Sequence, residues 1–133
     1  MRSPILLFES DAFPVLRGED EETNPGLFGE SLANWVAERL QHKGLPTQGV
    51  IAEDFGWCVV IPQPPHRVLV ACCLVGGSPT RWSAFAFIEG GLVARLFGVG
   101  ERERRLSSLY AVLKSCLQES PEIQGLREEP DGK

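Results

Sequence analysis

Two pairs of carboxylates are the residues of this chain best suited to chemistry. Glu9 and Asp11 stand two apart at the end of a short apolar run, and Glu53 and Asp54 are adjacent within a longer one. Residues two apart on a strand share a face, so Glu9 and Asp11 project together. If the first strand pairs with the strand that carries Glu53 and Asp54, the four make an acidic cleft. Such a cleft suits oxygen ligation of a divalent cation, general acid–base work or recruitment of a basic partner. Trp57 and Trp82 are candidate anchors for a pocket or an interface. Arg81 or Arg67 is the candidate counter-charge, because gathered carboxylates raise one another's pKa unless a cation compensates. The competing structural reading leaves Glu9, Asp11 and Asp54 exposed at strand ends. It pairs Glu53 with Arg67 or Arg81 and puts the indoles in the core.

Other constellations are thinner. The four cysteines, Cys58, Cys72, Cys73 and Cys116, all lie in apolar runs, where a reduced thiol behaves as a small hydrophobe. Cys72 and Cys73 point to opposite faces of a strand, a poor geometry for a bond between them. No pair has zinc or redox spacing. His42 or His66 as a base beside a cysteine nucleophile is the weaker catalytic option. Gly76-Gly77-Ser78 and Gly98-Val99-Gly100 lack the lysine and the strand–loop–helix setting of a phosphate loop. Nothing calls for a metal or a cofactor.

The chain has 133 residues, 43% hydrophobic and 23% charged, which suits one ordinary globular domain over residues 1–133. A net charge of −5, from 13 basic and 18 acidic residues, argues against a nucleic-acid partner, which needs a basic footprint. Glu9 and Asp11 end the first apolar run too early for a signal peptide. No run approaches the roughly 20 apolar residues of a membrane span. The expected setting is the cytoplasm.

The positioning elements follow from periodicity. Residues 5–8 read as a first strand, and residues 18–26 as an acidic loop in which Glu19 to Glu22 repel one another into solvent. Phe28, Leu32, Trp35, Val36 and Leu40 make a helical stripe from 27 or 28 to 43, with Gly44 at the C′ position. Residues 50–61, 67–75 and 81–89 read as a three-stranded meander, the first of them one strand in which Gly56 marks a bulge or a close approach. Leu92 to Phe97 is a short amphipathic piece, and Gly98 to Gly100 a flexible link. A second helix runs over 102–119 on Leu106, Leu109, Tyr110, Leu113, Cys116 and Leu117. Residues 121–133 read as a frayed tail. The expected fold is a two-layer α+β domain of order β-α-β-β-β-α, mainly antiparallel. Trp35, Phe55, Val59, Leu106, Leu109 and Leu113 should share its core. Val68, Val70, Cys72 and Leu74 then form a sheet face in need of cover, which predicts a homodimer or a helix crossing over.

Glu19-Asp20-Glu21-Glu22-Thr23-Asn24-Pro25-Gly26, the helix after it, Glu53-Asp54-Phe55-Gly56-Trp57 and Thr80-Arg81-Trp82 resemble a group of small single-domain bacterial proteins. The resemblance covers roughly residues 8–117. That group has no assigned activity, so the resemblance implies a bacterial, cytosolic, stand-alone domain and no catalytic residue. The expectation from sequence is a non-enzymatic interaction protein, of immunity or regulatory type. It would bind a basic protein partner through Glu9, Asp11, Glu53, Asp54, Trp57, Arg81 and Trp82. The alternative is a small hydrolase or metal-dependent enzyme built on the same carboxylates.

Overall fold

The computed structural model describes residues 1–64, 66–89 and 98–130. Among these residues the fold is α+β, with two α-helices on one face of a six-stranded antiparallel sheet. The strands are β1 (Ile5–Glu9), β2 (Val50–Glu53), β3 (Gly56–Gln63), β4 (His66–Leu74), β5 (Arg81–Glu89) and β6 (Gln124–Glu129). The helices are α1 (Glu30–His42) and α2 (Gly98–Glu119). Sheet order is β2-β3-β4-β5-β1-β6. The amphipathic piece read at Leu92 to Phe97 lies outside the described residues.

Alternation along each strand sorts the faces. Val59 and Ile61 of β3, Val68, Val70 and Cys72 of β4, and Trp82, Ala84 and Ala86 of β5 pack against the helices. Leu32, Val36 and Leu40 of α1 meet them, as do Leu109, Leu113 and Leu117 of α2. The face of Val68, Val70 and Cys72, expected to be bare, is thus the covered one. On the far face Cys58, Val60, Leu69 and Ala71 form a second buried cluster, flanked by Ile51, Phe85 and Phe87.

α1 starts later than its stripe suggests because the residues before it are engaged with β4. The Phe28 carbonyl accepts the Leu74 N–H at 2.8 Å, and a Cβ on Gly29 would stand 2.4 Å from the Cys72 carbonyl oxygen. The far end behaves as the sequence predicts. Gly44 has φ 89°, Leu45 N–H reaches the Leu40 carbonyl, and Gly44 N–H reaches that of Gln41. These are the two bonds of a Schellman ending.

Three expectations need correction. Residues 50–61 are a hairpin, turning at Asp54 and Phe55. Phe55 therefore leaves the helix-side core: it is 48% exposed and packs on Phe87 of the far face, centroids 5.6 Å apart. The tail does not simply fray, since β6 pairs with β1 and packs Leu126 against the core. The glycines before the second helix are part of it, because α2 begins at Gly98.

Candidate functional site

Antiparallel alternation carries the ends of β1 and β2 to the same end of the sheet. Glu9, Ser10 and Asp11 leave β1 there. Glu53 ends β2 there, and Asp54 stands in the turn that follows. The sequence expectation that the four carboxylates share one end is met, but their expected adjacency is not. β1 lies between β5 and β6, so Glu9 is four inter-strand steps from Glu53, roughly 19 Å at about 4.8 Å per step. β1 takes that place because Leu6 and Phe8 complete the core opposite Ala84 and Trp82.

The acidic loop bridges the gap; Glu21 and Glu22 are exposed to solvent as expected, but Glu19 is not. Glu19 is 3% exposed. One of its carboxylate oxygens accepts the Leu16 N–H at 2.7 Å, and the other accepts the N–H groups of Gly29 at 2.9 Å and Glu30 at 3.0 Å. Glu19 thus caps α1 from eleven residues upstream, where Gly29 has no side chain to do so. Asp20 accepts the Gly26 N–H at 2.9 Å, and the Asn24 amide donates to the Asp54 carbonyl at 2.6 Å. The loop is thereby tied to both α1 and the β2–β3 turn. Burial raises the Glu30 pKa, with Glu19 and Glu22 adding to the effect.

Beside β1 the rim forms a hollow of about 200 Å³ lined by Glu9, Ser10, Asp11, Thr80, Glu122 and Gln124. Glu122 was absent from the sequence candidates because its segment read as tail. One of its oxygens lies 3.9 Å from the Arg39 guanidinium; the other is buried and has no hydrogen-bond partner among the described residues. Arg39 stacks over Trp35, whose ring meets Phe13 edge-on, and Phe13 meets Trp82 in the same way. This aromatic train supports the hollow from behind.

The remaining candidates divide between core and surface. Trp82 is a core residue whose indole N–H donates to the Ser10 carbonyl at 3.0 Å, fixing the chain where Asp11 emerges. Trp57 is 4% exposed, faces the helices, and has a buried indole N–H with no hydrogen-bond partner among the described residues. Arg81 is exposed and opposes Glu9 across the β1–β5 pair, an opposite-charge neighbour. Arg67 pairs with Glu89 at 2.8 Å.

The thiols are poorly disposed to nucleophilic work. Burial, reinforced by Glu53 and Glu89, pushes the Cys58 thiol up to about 12. Burial also holds Cys72 well above its ordinary value and raises Cys73 and Cys116. A thiolate is the reactive form, so these shifts suppress it. Among the described residues no group of three His, Cys, Asp or Glu converges to hold a metal ion. No helix among them is long and apolar enough to cross a membrane.

A second hollow, of about 480 Å³, opens by the far face between Met1, Arg2, Phe55, Phe85, Phe87 and Ile88, with Arg2 over the Phe85 ring. Nothing in the sequence pattern pointed to it, because Phe55 reaches it only through the hairpin turn. No protein-family model, curated protein or solved structure matches this chain.

Proposed function

We propose that this is a non-enzymatic interaction protein that receives a basic segment of a protein partner at the acidic end of its sheet. The observation that carries the reading is the convergence of Glu9, Asp11 and Glu122 on one open hollow of about 200 Å³. Glu122 is a newly added member, and it adds a third carboxylate to the lining of that hollow. Asp54, Glu21 and Glu22 extend the same charge along the rim, so a basic partner is steered towards it. A bacterial cytoplasmic setting, as for immunity or regulatory proteins, agrees with the resemblance of its loop and hairpin sequences.

The hydrolase alternative asks more of the site. Two carboxyls that share acid–base work on one bond sit about 5–10 Å apart, as in glycosidases. Glu9 and Glu53 are roughly 19 Å apart.

A displayed peptide library selected on the immobilised protein tests the proposal. Lys/Arg-rich peptides should be enriched. Their affinity should fall about tenfold, roughly 1.4 kcal/mol, in a Glu9→Gln, Asp11→Asn, Glu122→Gln variant, with a shallower salt dependence and an unchanged melt. Enrichment of acidic or uncharged peptides, or equal binding to the variant, would overturn it.

A further inference from the structure

The two edges of the sheet are unlike. β6 carries Arg127, Glu128 and Glu129 and meets β1 through a register shift between Leu7 and Glu9. Charge and irregular pairing are the usual guards of an edge strand. β2, the other edge among the described residues, is Val50-Ile51-Ala52-Glu53, with its one charge at the last position. Its register with β3 is unbroken from Val50 to Glu53, and the neighbouring Phe55 is half exposed.

The hairpin decides which backbone groups are free. Its two-residue turn makes Glu53 and Gly56 a hydrogen-bonded pair, and alternation makes Ile51 and Cys58 another. The regular pattern ends at Gly49, which accepts the Val60 N–H at 3.0 Å while the Val60 carbonyl takes the Gln48 N–H at 2.8 Å, a bulge just outside β2. Val50 and Ala52 therefore turn their N–H and C=O groups away from β3, along an apolar edge. A strand is the ligand that satisfies such a row.

We propose that β2 pairs antiparallel with β2 of a second copy of this chain, about a two-fold axis through Ile51. In that register Val50 opposes the partner's Ala52, and Ala52 opposes the partner's Val50, so every outward backbone group of the two residues is paired. Glu53, the last residue of β2, falls opposite the partner's Gly49, so no carboxylate faces another. Ile51 meets the partner's Ile51 on the far face and extends the apolar cluster of Cys58, Val60, Leu69 and Ala71 against which it already packs. An isologous contact of this kind closes as a dimer and leaves β6 guarded at both outer ends.

Because residue 51 lies opposite itself, its charge reports the register. The full chain should sediment as a dimer at micromolar concentration. Ile51→Lys and Ile51→Glu should each sediment as monomers, and an equimolar mixture of the two should sediment as a dimer again. Amide exchange at Val50 and Ala52 in the unaltered protein should slow as concentration rises, a reading that needs no variant. A monomeric unaltered chain overturns the proposal, as does a dimeric Ile51→Lys protein or a mixture of folded variants that stays monomeric. Exchange at Val50 and Ala52 that is independent of concentration overturns it too, and capture of a foreign strand at this edge would then be the alternative.

Discussion

The Glu19 carboxylate accepts three backbone N–H groups from two separate segments, and no neighbouring acid does the same. Buried and shielded from solvent, those donors have no replacement partner if it is lost. Glu19→Gln keeps one acceptor oxygen and turns an NH₂ group towards the donors left over. It should cost about 1–3 kcal/mol in urea unfolding. Glu21→Gln and Glu22→Gln, at exposed positions, should stay within about 0.5 kcal/mol of the unaltered protein. A Glu19→Gln midpoint equal to theirs would show that the loop does not hold α1 in place. Sequence reading treated these acids as equivalent because repulsion in a charge run is visible, whereas a remote donor set is not.

Elements were more legible than single residues, with informative exceptions. α1 and α2 are legible because their stripes recur at helical spacing, and the Gly44 ending because its backbone demand is local. The β2–β3 hairpin was hidden because residues 50–61 alternate well enough to pass as one strand. Its turn residues, Asp54 and Phe55, are not a usual turn pair. β6 was hidden because its sequence is polar; it gains stability from the β1 edge and from Leu126, both supplied by tertiary structure. Ending the chain at Ser120 should therefore lower the melting temperature by several degrees, since loss of one to two kcal/mol shifts a domain of this size by roughly 3–10 °C. A melt identical to that of the full chain would return the segment to the status of a frayed tail.

Stability against pH belongs to the whole molecule, because thiols carried by two strands and a helix are buried on both faces of the sheet. Cys58 moves from an ordinary value near 9 up to about 12, chiefly by burial, and Cys72 and Cys116 move in the same direction. A raised thiol pKa means that the unfolded chain ionises first as pH rises. Stability is full below the unfolded value and falls above it, by about 1.4 kcal/mol per pH unit for Cys58 until its folded value is reached. Urea titrations from pH 8 to 11 should show that decline, and Cys58→Ala should reduce its slope by about one thiol's share. An unchanged slope would mean that Cys58 titrates freely in the folded protein. The acidic rim and the β2 edge are likewise whole-molecule features, one made by strand order and the other by where the sheet stops.

The α+β class, both helices, the three central antiparallel strands and the surface acidity were determined by sequence alone. Each depends on local periodicity or on composition, which a chain carries without its fold. Strand order was decided only in three dimensions. Leu6 and Phe8 could pair with any apolar strand, and the core opposite Ala84 and Trp82 selected β5. That choice set Glu9 and Asp11 beside Glu122 instead of beside Glu53 and Asp54, and sent Trp82 inward to brace Ser10. Which carboxylates meet depends on pairing across long stretches of chain, and the energy that sets that pairing lies in packing that no short stretch encodes.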